Sequence, residues 1–183
     1  SGIGASIVEH FCEQGSEVHF VDIDLKETKK LLNKIKKNKF RLPTFIECNL
    51  LDINKLEKTI KNIIEKKGPI HALINNAAND DRHTTDQVDE KYWENRMAIN
   101  LKHYFFAAKA VVKSMKKMKA GSIVNLSSVS WMLGEGDKVV YETAKSAVVG
   151  LTRSFAQEYG KYNIRTNSVV PGSIATERQI KHW

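Results

Sequence analysis

The sequence predicts an α/β fold, a parallel sheet with helices on both faces. Three observations carry this. Short apolar runs alternate with charged amphipathic segments over all 183 residues, as repeated strand–helix crossovers do. A glycine-bearing turn opens a helix at Ser1-Gly2-Ile3-Gly4, and the strand that follows ends on an acid, Asp22. A later strand runs into Ser128, thirteen residues before a Tyr141-x-x-x-Lys145 pair. Ligands of open α/β sheets bind at such carboxyl ends of strands.

In chain order, ASIVEHFCEQG reads as a helix with apolar Ile7, Val8 and Phe11, closed by Gly15. EVHFVD (Glu17 to Asp22) is a short strand. KETKKLLNKIKK (Lys26 to Lys37) is a charged amphipathic helix, and LPTFIECN (Leu42 to Asn49) is the next strand. DINKLEKTIKNIIEKKG (Asp52 to Gly68) is a helix with an Asp cap and a Gly stop. HALINNAA (His71 to Ala78) is a buried strand that ends on two amides, Asn75 and Asn76. A long helix is expected over 89–118. Asn100 lies in it among Met97, Ile99, Leu101 and Phe105, where a polar residue marks a cap, a kink or a task. Ser122 to Leu126 is a strand, Lys138 to Gly160 a helix, and Ile164 to Val170 a strand before Pro171-Gly172. No internal repeat, linker or second domain interrupts the pattern, so residues 1–183 read as one domain.

Composition bounds the function. The net charge of +8 raises the question of nucleic acid. The lysines are spread over several helices without interleaved aromatics, which fits solvated helix faces and argues against a nucleic-acid partner. A basic field can still draw in an anionic cofactor. No apolar run approaches the roughly 18 residues of a membrane span, and no signal peptide is visible. Cys12 and Cys48, the only cysteines, lie in apolar surroundings. They read as buried small hydrophobes in a reducing, cytoplasmic compartment. The six histidines have no ligand-like spacing, so no metal site is expected.

The chemistry concentrates between Gly121 and Gly150. Tyr141 and Lys145 are four apart on a helix and share one face. A phenol with an ordinary pKa of about 10 is a poor base at neutral pH. An ammonium one turn away favours the phenolate, the direction a catalytic acid or base needs. Alone, Tyr-x-x-x-Lys is most simply a solvated surface pair. With Ser128 at a strand end upstream it becomes specific.

This constellation resembles the short-chain dehydrogenase/reductase family, and the likeness spans essentially the whole chain. Ser128, Tyr141 and Lys145 match the family's catalytic Ser, Tyr and Lys. Asn100 matches its fourth catalytic position, which holds a water linking the lysine to solvent. The resemblance implies a doubly wound, Rossmann-type, three-layer αβα fold. Gly2, Ile3 and Gly4 fall in the family's glycine motif, where the backbone approaches a pyrophosphate at a helix N-terminus. Asp22 lies 20 residues after Gly2, where a carboxylate accepts ribose hydroxyls and repels a 2′-phosphate. NAD is therefore expected over NADP; the plainer reading of Asp22 is a turn acid. Asn49 and Leu50 fall beside the adenine, with Asn where the family often has Asp. Asn75-Asn76-Ala77-Ala78 resembles Asn-Asn-Ala-Gly with Ala78 for Gly; Asn76 and Ala77 would line the cofactor, while the amides equally serve the sheet. Pro171 and Gly172, with Ile174 and Thr176, match the segment beside the nicotinamide.

The runs NNAANDDRH, SWMLGEG and TERQIKHW most resemble the bacterial aldose 1-dehydrogenases of that family, of the D-xylose type. This implies oxidation of an aldose at its anomeric carbon to a lactone, with Asn79, Ser130 and Trp131 as candidate sugar contacts. A core role for Trp131 is nearly as good a reading. The alternatives are another alcohol or ketone (ketoacyl, steroid or polyol) and an inactive fragment. The family's first strand, the first glycine of its motif, and its closing lid and last strand are not in this sequence, which reads as a piece of a longer chain. By analogy, the helices at 89–118 and 138–160 form the interfaces of a homodimer or homotetramer.

Overall fold

The computed structural model describes residues 1–180. Among them, parallel strands alternate with helices as the sequence predicts. Among the described residues the strands pair in two ladders, one holding β1 (His19–Asp22) and the other β3 (Ala72–Asn75). The described residues divide into two compact units, residues 1–55 with 173–180 and residues 56–172.

In the first unit, α1 (Gly2–Glu13) and α2 (Leu25–Lys37) accompany β1 and β2 (Thr44–Glu47). The strands are parallel, with His19 opposite Thr44 and Asp22 opposite Glu47. Val8 and Cys12 of α1 pack with Leu31 and Ile35 of α2 in one buried cluster. The α2 lysines stay outside because Leu31 and Ile35, four apart, turn its apolar stripe inward. Asp24 caps α2 by accepting from the Lys26 and Glu27 amides. Phe11, expected on the buried face of α1 with Val8, is instead 37% exposed. It lies three residues past Val8 but one before Cys12, so it falls at the stripe's edge. Cys12 and Cys48 are both buried, and burial raises the Cys12 pKa. A short α8 (Glu177–Ile180) belongs to this unit. Of the TERQIKHW run, Lys181, His182 and Trp183 lie outside the described residues.

The second unit is built on β3, β4 (Gly121–Leu126) and β5 (Ile164–Val169). All are parallel and β4 is central, with Asn75 opposite Asn125 and Leu126 opposite Val169. Most of α3 (Ile53–Lys67) belongs here, capped by the Asp52 carboxylate on the Lys55 amide. Gly121 opens β4 because a Cβ there would lie 2.5 Å from the Met115 sulfur. The core joins α5 (His103–Met118) and α7 (Val139–Tyr159) through Ala107, Val111, Met115, Ile123, Ala144 and Val148.

The single long helix expected over 89–118 is broken. It runs as α4 (Glu90–Met97), a wide π-turn at Ala98–Lys102, and then α5. Asn100 sits in the π-turn and is fully buried. Its amide leaves the helix to bind another segment, and turns of this kind recur at functional sites. A short α6 (Ser130–Leu133), which periodicity alone did not predict, carries Trp131.

Candidate active site

The second unit holds the proposed catalytic side chains. Strand β4 delivers two hydroxyls at its carboxyl end. Ser127 turns inward and donates to the Lys145 carbonyl at 2.7 Å, locking α7 to the strand. Ser128 follows it, two residues past the end of β4. Its Oγ lies 2.9 Å from the Ser130 Oγ and accepts from the Ser130 amide at 3.2 Å. Ser130, expected as a sugar contact, therefore orients Ser128. Trp131 is half-buried, and its indole Nε1–H is enclosed with no acceptor among the described residues.

Helix α7 presents Tyr141 and Lys145 one turn apart, with the Lys145 Nζ 5.6 Å from the centre of the Tyr141 ring. Tyr141 is half-buried, whereas Lys145 is 1% exposed. The Lys145 Nζ donates to the Leu126 carbonyl at 2.7 Å and to the Tyr104 hydroxyl at 3.1 Å. An ammonium carries three N–H groups, so one remains for a further acceptor. Burial lowers the Lys145 pKa to about 7, against a smaller raising effect of the Asp80 carboxylate. At neutral pH this lysine is thus poised between charged and neutral forms.

Tyr104, from α5, is a member of the site that sequence reasoning missed. Its hydroxyl donates to the Leu126 carbonyl at 3.1 Å while accepting from Lys145. Burial, then the neighbouring Tyr141, hold its pKa far above the usual phenol range, so it stays neutral. The one available signal was a tyrosine in an otherwise apolar helix, four residues after Asn100. Beside it, the His103 Nε2–H donates to the Ile99 carbonyl at 2.9 Å and the Ala77 carbonyl at 3.2 Å. Burial lowers its pKa to about 4, so it is neutral next to Lys145.

Asn100 clamps one residue. Its Oδ1 accepts from the Asn79 amide at 2.8 Å and its Nδ2 donates to the Asn79 carbonyl at 3.0 Å. The Asn79 side chain turns back to accept from the Asp81 amide. Asn75 serves the sheet: its Nδ2 donates to Asn125, whose own amide donates to Thr152 of α7. Leaving any of these buried groups unpaired would cost about 1–3 kcal/mol. Asn76 is half-buried at the end of β3, Ala77 is exposed, and the Pro171 carbonyl accepts from the Val129 amide beside exposed Gly172.

The first unit holds the remaining expected cofactor residues. Gly2 has φ +54°, and a Cβ there would come within 3.3 Å of the Thr176 methyl. Only glycine takes that conformation without strain. Ile3 and Gly4 follow it in the first turn of α1. Asp22 sits at the carboxyl end of β1, with Oδ1 accepting from the Ile23 and Asp24 amides. The turn-acid reading therefore accounts for one of its two oxygens. Asn49 accepts from the Leu51 amide, with Leu50 half-buried beside it, and the Thr176 hydroxyl accepts from the Gln179 amide beyond exposed Ile174.

A parallel α/β fold that carries Ser, Tyr and Lys in this arrangement defines a class of oxidoreductases. The chain belongs to the short-chain dehydrogenase/reductase family: the family model described as short chain dehydrogenase matches residues 1–183. It is thereby an NAD(P)-dependent oxidoreductase acting on CH–OH groups. It is 40% identical to a D-xylose 1-dehydrogenase of Caulobacter vibrioides over all 183 of its residues, which are 72% of that protein. It is 39% identical over the same span, with the same 72% share, to a Rhizobium meliloti protein named "Probable galactose dehydrogenase GalD". Among solved structures, a gluconate 5-dehydrogenase from Burkholderia cenocepacia in complex with NADP and tartrate is 25% identical, with a TM-score of 0.86. That match covers 97% of this chain and 69% of the other. Among the described residues, no helix is long and apolar enough to cross a membrane.

Proposed function

We propose that the protein oxidises the anomeric hydroxyl of an aldose to a lactone, with NAD as the hydride acceptor. The observation that supports this best is the buried Lys145 beside Tyr141 on α7, with the Ser128 hydroxyl held by Ser130 at the end of β4. Tyr141, as phenolate, takes the proton from the anomeric hydroxyl. Ser128 donates a hydrogen bond to the same oxygen and holds it in place. Lys145 uses its remaining N–H for the nicotinamide ribose and favours the phenolate. Asn100 holds a water that continues the proton path. Asn79, Ser130 and Trp131 flank the sugar.

The residues present fit a dinucleotide. Asp22 Oδ2 has no protein partner among the described residues, and Lys145 has an N–H to spare. When bound, that group supplies the hydride acceptor. Gly2, Ile3 and Gly4 would hold its pyrophosphate, Asp22 its adenosine ribose, and Asn49 and Leu50 its adenine. Asn76, Ala77, Pro171, Gly172, Ile174 and Thr176 would line the rest.

A panel of aldoses assayed with NAD and NADP tests the reading. Turnover of a pentose or hexose is expected, with NAD preferred; turnover of a ketoacyl or steroid substrate and of no sugar would overturn it. Asp22→Asn keeps the turn acceptor and removes the charge. It should shift the NAD/NADP preference by about tenfold towards NADP, some 1.4 kcal/mol of relieved repulsion. An unchanged ratio would remove Asp22 from cofactor selection.

A second copy of the chain would pack on α5 and α7. An apolar hollow of about 450 Å³ is lined there by Leu101, Lys102, Phe105, Phe106, Ala147 and Leu151, and Phe105 is 42% exposed. Phe105→Glu should convert a dimer or tetramer to monomer in light scattering. A monomeric wild type, or an unchanged mass in the variant, would sink this interface.

A further inference from the structure

Helix α7 carries Tyr141 and Lys145, so its first turn sets where the phenol stands. Its N-terminal residue in the capping position is Lys138, which has no side-chain acceptor and makes no cap hydrogen bond. The first amides of a helix have no partner within it and need one from elsewhere. Here the acceptor comes from a residue 57 positions away: the Val140 amide donates to the His83 Nε2 at 3.3 Å. Val140 immediately precedes Tyr141.

His83 is 5% exposed, and every contact of its ring can be assigned by the donors available. A backbone N–H can only donate, so Nε2 carries the lone pair and Nδ1 carries the proton. That proton is shared between the Asp81 carbonyl at 3.0 Å and the Tyr92 hydroxyl at 2.9 Å. The Tyr92 ring meets the imidazole edge-on, with centres 4.9 Å apart. The backbone is tied at the same point, since the His83 amide donates to the Asp137 carbonyl at 2.7 Å and Arg82 pairs with the Asp137 carboxylate. The other end of this loop is Asn79, the residue clamped by Asn100. One loop thus joins the π-turn to the first turn of α7.

We propose that His83 is a positioning residue: as a neutral imidazole it supplies the N-terminal cap of α7 and thereby holds in place the first turn, which carries Tyr141. The role is distinct from catalysis, because His83 acts through the Val140 amide. The kinetic part of its test rests on the dehydrogenase activity proposed above.

Two measurements test it on the full chain, with His83→Ala and His83→Gln. Glutamine places an amide oxygen near the position of Nε2 and can restore the cap. In the absence of any ligand, the Val140 amide should exchange with solvent at least tenfold faster in His83→Ala than in wild type, and near the wild-type rate in His83→Gln. With the sugar found active, kcat should fall at least tenfold in His83→Ala, with KM and the NAD dissociation constant within about twofold, and His83→Gln should recover most of it. Unchanged Val140 exchange in His83→Ala, unchanged kcat, or an equal loss in both variants would overturn the proposal. Should His83→Ala not fold, the comparison of His83→Gln with wild type decides alone: near-wild-type exchange and kcat support the cap, and a tenfold loss of either refutes it. If wild type turns over no sugar, the function proposed above fails while the exchange measurement still decides whether His83 caps α7.

Discussion

Tyr141→Phe should abolish oxidation of the sugar while leaving dinucleotide binding almost untouched. The ring is half-buried near the Lys145 ammonium and phenylalanine keeps it there, and an unchanged melting temperature checks that the variant folds. What it loses is the group assigned, in the function proposed above, to take the proton. Positioned general bases are worth about 10²–10⁴-fold in rate, and the expected loss in kcat is at the upper end of that range. The dinucleotide dissociation constant, read by quenching of tryptophan fluorescence, should stay within about twofold, because Lys145 and the residues expected around the cofactor are unchanged. A variant retaining a tenth of the wild-type rate would refute Tyr141 as the base and move attention to Ser128.

Lys145→Met should stabilise the protein at acid pH and destroy its activity. A lysine in the unfolded chain titrates at about 10.4, whereas burial holds Lys145 at about 7. Between those values the unfolded chain binds more protons than the folded one, so stability rises with pH across that window. Below pH 7 the folded protein carries a buried ammonium at full cost, on the order of 4 kcal/mol from the size of the shift. Above about pH 10 the cost has gone. Methionine has a similar stem without the charge. Tyr104 continues to donate to the Leu126 carbonyl in its absence, so no buried acceptor is orphaned. A chain of this size moves by about 2–4 °C per kcal/mol. The variant should therefore melt about 8–16 °C higher at pH 6 by scanning calorimetry, with little difference near pH 10. An equal change at both pH values, or a lower melting temperature at pH 6, would mean that the ammonium costs nothing where it sits. The function proposed above would account for the retention of this cost: a phenolate at Tyr141 and a ribose would both need a cation at that point.

The parts of this protein that could be read in one dimension are those whose geometry is local. Tyr141 and Lys145 share a helix face because four residues make about one turn. Ser128 lies just past a strand because an apolar run stops at Leu126, and Asp24 and Asp52 cap helices within three residues of themselves. The alternation of strands and helices announced a parallel α/β fold for the same reason, since each element is a periodicity in neighbouring residues. Other features depend on partners far along the chain, and no local pattern encodes those. Tyr104 meets Lys145 across 41 positions, Asn100 meets Asn79 across 21, and His83 meets Val140 across 57. The break in the long helix belongs with them, because the π-turn exists where Asn100 has somewhere else to bond. So does the state of Lys145: its residue type is plain in the sequence, but a pKa of about 7 comes from the walls that enclose it. Spacing along the backbone picked out the candidate groups, and packing set their charge and orientation, because desolvation is a property of surroundings that only folding assembles.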